Sequence, residues 1–265
     1  MPIAAADVDV IEAGSGPLVV LVHSSVSGAR QWRRLIELLA PSFHVKAVNL
    51  YGYGNTPGWR AERRQTLADQ AALVEAVVAA EDEDIALVGH SLGGSVAMTT
   101  ASRLGRRVSR LVLLEPNPFQ LLAEHGRAAA YAEISALSIT IKARVAESGW
   151  DAAAYIIADY WGGAGTWAGM SPERRAAFAE VLPHNLHEWD AVLGDRVPLA
   201  RWVAEMPART LVVWDPATVR PIREIVELMQ AGTPWSFEAL PKGGHMAPLT
   251  HPELVNPIVA RFLAA

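Results

Sequence analysis

Ile85-Ala86-Leu87-Val88-Gly89-His90-Ser91-Leu92-Gly93-Gly94 is the stretch on which the fold turns. Four apolar residues read as a buried strand, and Ser95 to Leu104 reads as a helix. Between them stands G-x-S-x-G. A strand that turns so sharply into a helix strains the backbone at its apex, here Ser91. The positions two before and two after the apex have little room for side chains, and Gly89 and Gly93 meet that need. The turn lifts the Ser91 hydroxyl out of the fold. It also aims the first amides of the helix, beginning with Leu92, at any negative charge that forms beside it.

Outward from this turn, strand and helix patterns alternate. Pro17 to Val22, Val45 to Leu50, Arg110 to Leu114, Thr210 to Trp214 and Trp235 to Leu240 read as strands. Ala29 to Ala40, Thr66 to Ala80, Pro221 to Gln230 and Pro252 to Leu263 read as helices, with Thr66 placed as an N-cap and Asp69 three residues on. This order predicts an α/β fold, a mostly parallel sheet with helices on both faces. After Pro116 the alternation stops until about residue 205. The prediction is therefore a core of residues 1–116 and 206–265 with a helical cap or lid of residues 117–205.

The chain has 265 residues, 51% hydrophobic, enough for one large domain with an insertion. A net charge of −5 with no basic stripe argues against nucleic acid as a partner. The absence of cysteine excludes disulfides, thiolate metal sites and a cysteine nucleophile. No apolar run approaches membrane-spanning length, so no membrane partner is expected. The opening Met1-Pro2-Ile3-Ala4-Ala5-Ala6-Asp7 lacks the basic start and apolar core of a secretory signal, and a cytoplasmic protein is the default expectation.

Three segments together resemble the α/β-hydrolase family: the strand ending Leu21-Val22-His23, the elbow around Ser91, and Gly243-Gly244-His245-Met246-Ala247-Pro248. The resemblance implies a Ser-acid-His triad in that chain order, with Ser91 as nucleophile and His245 as base. It implies an oxyanion hole from two backbone amides, Leu92 after the nucleophile and Ser25 in the loop after the first buried strand. Relatives commonly read His-Gly-X in that loop, whereas this chain reads His23-Ser24-Ser25. Among the other histidines, His90 is expected to point away from the nucleophile, His23 to brace its loop, and His251 to start the last helix.

The acid is where this chain departs from the family pattern. Most relatives carry it a few residues beyond the strand that here is Thr210 to Trp214, as a glycine, two or three residues, then aspartate. Here Asp215 takes the glycine position and Thr218 falls near the acid position. Some relatives place the acid after the preceding strand, which here ends Leu113-Leu114-Glu115-Pro116. Glu115 is the preferred acid and Asp215 the alternative.

Five of the nine tryptophans (Trp150, Trp161, Trp167, Trp189 and Trp202) fall in the insertion, which points to an apolar pocket under a lid. The spacing of His184, His187 and Glu188 hints at metal, but two such ligands without a clear third read as a polar helix face; no metal and no cofactor is assigned. Tyr51-Gly52-Tyr53-Gly54 lacks the lysine and spacing of a phosphate loop. The expected function is a serine hydrolase of the esterase type acting on a small-to-medium, largely apolar small-molecule carbonyl substrate. The alternatives are a carbon–carbon bond hydrolase or lactonase on the same fold, and a weakly active ligand-binding homologue.

Overall fold

The computed structural model describes residues 4–60, 62–81 and 83–265. Residues 1–3, part of the stretch read for a leader, lie outside the described residues. The strands are β1 (Val10–Ala13), β2 (Leu18–Val22), β3 (His44–Val48), β4 (Ile85–His90), β5 (Val108–Leu114), β6 (Thr210–Trp214) and β7 (Ser236–Ala239). They form one sheet in the order β1-β3-β2-β4-β5-β6-β7. β1 runs antiparallel to β3, and every other pairing is parallel. The sequence reading had no counterpart of β1, because a four-residue edge strand with half-exposed residues carries little apolar signal.

The central strands are apolar throughout because both faces are covered. Along β2, Val19 and Leu21 join one core with Ala47, Val88, Val112 and Val213, while Leu18, Val20 and Val22 join the other with Leu87, Leu111 and Val212. Helix α1 (Arg33–Leu39) closes the first core. The second core is closed by α2 (Leu67–Val77) and α3 (Leu92–Leu104). Thr66 caps α2 in a full capping box with Asp69. Strand-like and helical runs thus fall where their periodicity placed them, within a few residues.

Between β5 and β6 the chain forms only helices among the described residues. These are α4 (Gln120–Glu124), α5 (Ala128–Ser148), α6 (Trp150–Gly162), α7 (Thr166–Gly169), α8 (Pro172–Gly194) and α9 (Leu199–Glu205). α8 starts at Ser171, whose hydroxyl accepts from the Arg174 amide, with Pro172 in the first turn. Phe119, just past the sheet edge, stacks on Trp189 of α8 at 6.2 Å between ring centres. The apolar faces of these helices are therefore continuous with the second core. After β6 come α10 (Arg220–Gly232), then β7, α11 (Ala247–Thr250) and α12 (Pro252–Ala264), the last packing on the first core. Among the described residues no helix is long and apolar enough to cross a membrane.

Candidate active site

Ser91 stands alone between the last residue of β4 and the first of α3. Its φ of 55° and ψ of −118° lie in a region costly for an L-residue. The conformation is over-determined by its neighbours. The Ser91 amide donates to the Leu114 carbonyl at 2.9 Å, and the Gly94 amide donates back to the Ser91 carbonyl at 2.9 Å. A Cβ on Gly89 would stand 2.2 Å from the Gly93 carbonyl oxygen, and one on Gly93 would stand 2.2 Å from that of Val22. The glycines permit the close passage of strand, turn and helix.

His245 lies on the loop between β7 and α11. Its Nε2 is 2.9 Å from Ser91 Oγ, and its Nδ1 is 2.8 Å from Glu115 Oε2. With Nδ1–H donating to the carboxylate, Nε2 is left as the acceptor for the serine hydroxyl. All three side chains are buried. Glu115 follows β5 directly and also has a positive φ, 45°. Its amide donates to the Val213 carbonyl at 3.0 Å, which ties it to β6.

The Glu115 carboxylate is held on every side. Oε1 accepts the Asp215 amide at 2.8 Å, and Oε2 accepts the Thr218 hydroxyl at 2.7 Å as well as His245. Asp215 does not reach the imidazole. Its own carboxylate accepts the Ala217 amide at 2.8 Å and the Gly244 amide at 2.7 Å. The structure thus brings Glu115 to His245 and gives Asp215 the loop that carries the histidine.

Two further histidines support this arrangement from behind. His90 Nε2 donates to the His245 carbonyl at 2.9 Å. Burial and the neighbouring His245 hold its pKa well below the ordinary value, so it remains neutral. His23 ends the Leu18–Val22 run. Its Nδ1 donates to the Ser24 carbonyl at 2.7 Å, and its Nε2 accepts the Leu50 amide at 3.1 Å. Complete burial lowers its pKa to about 4. From the helices between β5 and β6, Trp161 lays its ring 4.5 Å from that of His245.

A cleft of about 1150 Å³ opens at Ser91, with Ser25, Leu92, Trp161, Trp189 and His245 among its walls. Ser25 and Leu92 thus lie on the same cavity as the serine. The loop of Ser25 is set by Val26, whose φ is 62° and whose amide donates to the Tyr53 hydroxyl at 2.8 Å.

Sequence reasoning missed what faces this loop. Glu188 of α8, read above as part of a polar helix face, is 3% exposed. The Ser25 hydroxyl donates to its Oε2, and the Tyr53 hydroxyl donates to its Oε1 at 2.7 Å. Asn185 Nδ2 donates to Ser25 Oγ at 2.7 Å, and Asn185 Oδ1 accepts the Trp189 indole at 2.8 Å. Burial pushes the Glu188 carboxyl up, against the lowering effect of the bonds from Ser25, Tyr53 and Asn185. The spacing 185, 188, 189 marks one helix face, but nothing local says that this face meets a loop more than 130 residues earlier in the chain. Among the described residues no group of three or more His, Cys, Asp or Glu side chains is placed to hold a metal ion.

The chain is 34% identical to a pimeloyl-[acyl-carrier protein] methyl ester esterase of Vibrio campbellii over 105 residues, 40% of this chain and 39% of the relative. It is 38% identical to the lipase LipV of Mycobacterium tuberculosis over 103 residues, 38% of each. The matches thus span about two fifths of the length of these relatives. A thermophilic esterase from Thermogutta terrifontis superimposes with a TM-score of 0.75 at 22% identity, covering 97% of this chain and 93% of the other. A hydrolase from Oleispira antarctica gives 0.78 at 18% identity, covering 100% and 98%. Residues 19–258 match the model of the alpha/beta hydrolase family, and the chain belongs to that family.

Proposed function

We propose that this protein is a serine hydrolase that cleaves a small-to-medium, largely apolar ester through an acyl-enzyme. The observation that carries the reading is the unbroken chain from Ser91 Oγ to His245 Nε2 (2.9 Å) and from Nδ1 to Glu115 (2.8 Å). Ser91 attacks the ester carbonyl as His245 takes its proton, and Glu115 stabilises the imidazolium. The tetrahedral oxyanion is received by the Leu92 and Ser25 amides. Collapse expels the alcohol, which takes its proton from His245. Water, activated by the same histidine, then releases the acid. The residues named supply every proton transfer, and no step draws on a cofactor.

The helices between β5 and β6 act in this reading as a cap. Ile157, Trp161, Phe178, Val181, Trp189 and Val192 line the cleft from that side, which suits an apolar acyl or alkoxy group and excludes water from the acyl-enzyme. An ester is favoured over other carbonyl substrates by relatives named esterase and lipase. The test is covalent labelling by a fluorophosphonate, with mass spectrometry locating the adduct, alongside turnover of p-nitrophenyl esters, lactones and dienone ring-cleavage products. Labelling at Ser91 with ester turnover is expected. An unlabelled Ser91 in folded protein sinks the reading and leaves the ligand-binding alternative.

A further inference from the structure

α8 meets the loops after β2 and β3 along one of its faces. His184 lies so close to the loop after β3 that a Cβ on Gly52 would stand 2.2 Å from its ring. One turn further along α8, Glu188 takes two hydroxyl bonds from two different core loops. One comes from Ser25, and the other from Tyr53, whose oxygen in turn receives the Val26 amide. Asn185, on the same face, donates to Ser25 Oγ. Residues 25 and 26 of the loop are thus held by a helix whose sequence lies about 160 residues away, and Val26 keeps a positive φ within this brace. A backbone in that region persists only where its surroundings enforce it. Glu188 contributes nothing to the proton transfers described above, yet it is buried beside the cleft.

We propose that Glu188 is a positioning residue: through Ser25 Oγ and the Tyr53 hydroxyl it fixes the backbone of residues 25 and 26 so that the Ser25 amide faces the oxyanion. The inference rests on the serine-hydrolase reading. It makes the second oxyanion donor conditional on the seating of α8. A chain with α8 lifted keeps Ser91, His245 and Glu115 together but presents one oxyanion amide in place instead of two. The helix that walls the cleft and the loop that stabilises the transition state are then one device.

The experiment uses the full-length enzyme and its best ester. Glu188→Gln retains the volume and one acceptor oxygen, enough for Tyr53 or for Ser25 but not both. Ser25→Ala removes the Ser25 link from the other side while keeping the amide. Each is expected to lower kcat, on the order of 10²-fold when the donor is displaced by about 1 Å, with KM changed less than about threefold. The double variant Ser25→Ala/Glu188→Gln is expected to lose less than the product of the two single losses, because both changes loosen one bonded network. Affinity for an alkyl trifluoromethyl ketone, which forms the tetrahedral adduct, falls in step with kcat/KM, while affinity for the product carboxylate does not. Circular dichroism and fluorophosphonate labelling of each variant identify folded protein. Should Glu188→Ala fail to fold, the isosteric Gln variant carries the test. Folded variants with wild-type kcat, or additive losses in the double variant, overturn the inference while leaving the hydrolase reading intact. A wild-type protein that neither labels nor turns over ester overturns both.

Discussion

The Thr218 hydroxyl stands 2.7 Å from Glu115 Oε2, the same carboxylate oxygen that His245 Nδ1 meets at 2.8 Å. Thr218, which falls near the position where the family resemblance places the acid, thus donates to a carboxylate at the end of the neighbouring strand. Under the proposed mechanism, Glu115→Gln is expected to lower kcat by about 10³- to 10⁴-fold, since the amide no longer fixes the imidazole in the required tautomer. Thr218→Val removes one charge-assisted hydrogen bond to the carboxylate and is expected to cost about 2 kcal/mol, roughly 30-fold in kcat. Steady-state kinetics on one ester distinguishes the two. A Glu115→Gln variant as active as Thr218→Val would transfer the acid's role elsewhere.

Asp215→Asn tests the alternative acid directly. Its carboxylate braces the Ala217 and Gly244 amides and does not contact the ring. The expected result is a loss of stability of about 1–2 kcal/mol in urea unfolding with kcat within about tenfold of wild type. A collapse of kcat comparable to that of Glu115→Gln would reverse the assignment.

Ser91→Gly separates strain from chemistry. With φ at 55°, the serine carries a backbone cost that glycine does not. The variant is expected to be inactive yet more stable than Ser91→Ala by about 1 kcal/mol, read as a shift of the urea midpoint. Equal midpoints for the two would mean that the elbow stores no strain.

Trp161 lies 4.5 Å from His245 between ring centres, close enough to stabilise the imidazolium that the proposed mechanism forms. Trp161→Ala is expected to lower kcat by about 5- to 30-fold, the equivalent of 1–2 kcal/mol, and Trp161→Phe by less. A fall confined to KM would give the indole a role in substrate binding alone.

Acid is expected to weaken the fold through His23. Its pKa is lowered from 6.5 to about 4 by burial, so the folded state binds its proton later than the unfolded chain. Stability is therefore full above the unfolded value, falls as pH drops through 6.5, and stops falling from this source below about 4. Between pH 7 and 5 the contribution lost is about 2 kcal/mol. His90, also held neutral by burial, acts in the same direction. Urea unfolding at the two pH values checks this, and His23→Asn is expected to narrow the difference.

What was legible in the sequence was what is local. The elbow, the β2 and β6 runs and the Thr66 cap are each decided by residues within a few positions of one another. Glu115 was singled out because Asp215 takes the usual glycine position and Thr218 falls near the usual acid position, a departure visible in one dimension. The pairing of Thr218 with Glu115 was not visible, since it depends on β5 and β6 lying side by side. Glu188 was misread for the same reason. On a helix diagram it belongs with His184 and His187, and only the docking of α8 on the Ser25 and Tyr53 loops buries it. The positive φ of Val26 and Glu115 also had no local signal, because neither residue type favours that region and both are held there by surrounding structure.

The Ser91 amide bonded to the Leu114 carbonyl has a mechanical consequence. The turns that carry Ser91 and Glu115 are tied to adjoining staves of the sheet, so that a displacement of one is felt at the other. The His245 imidazole comes from a separate turn, clamped by His90 and Asp215. Of the three groups, His245 alone sits on a loop rather than at the end of a central strand, and its place depends on those two clamps.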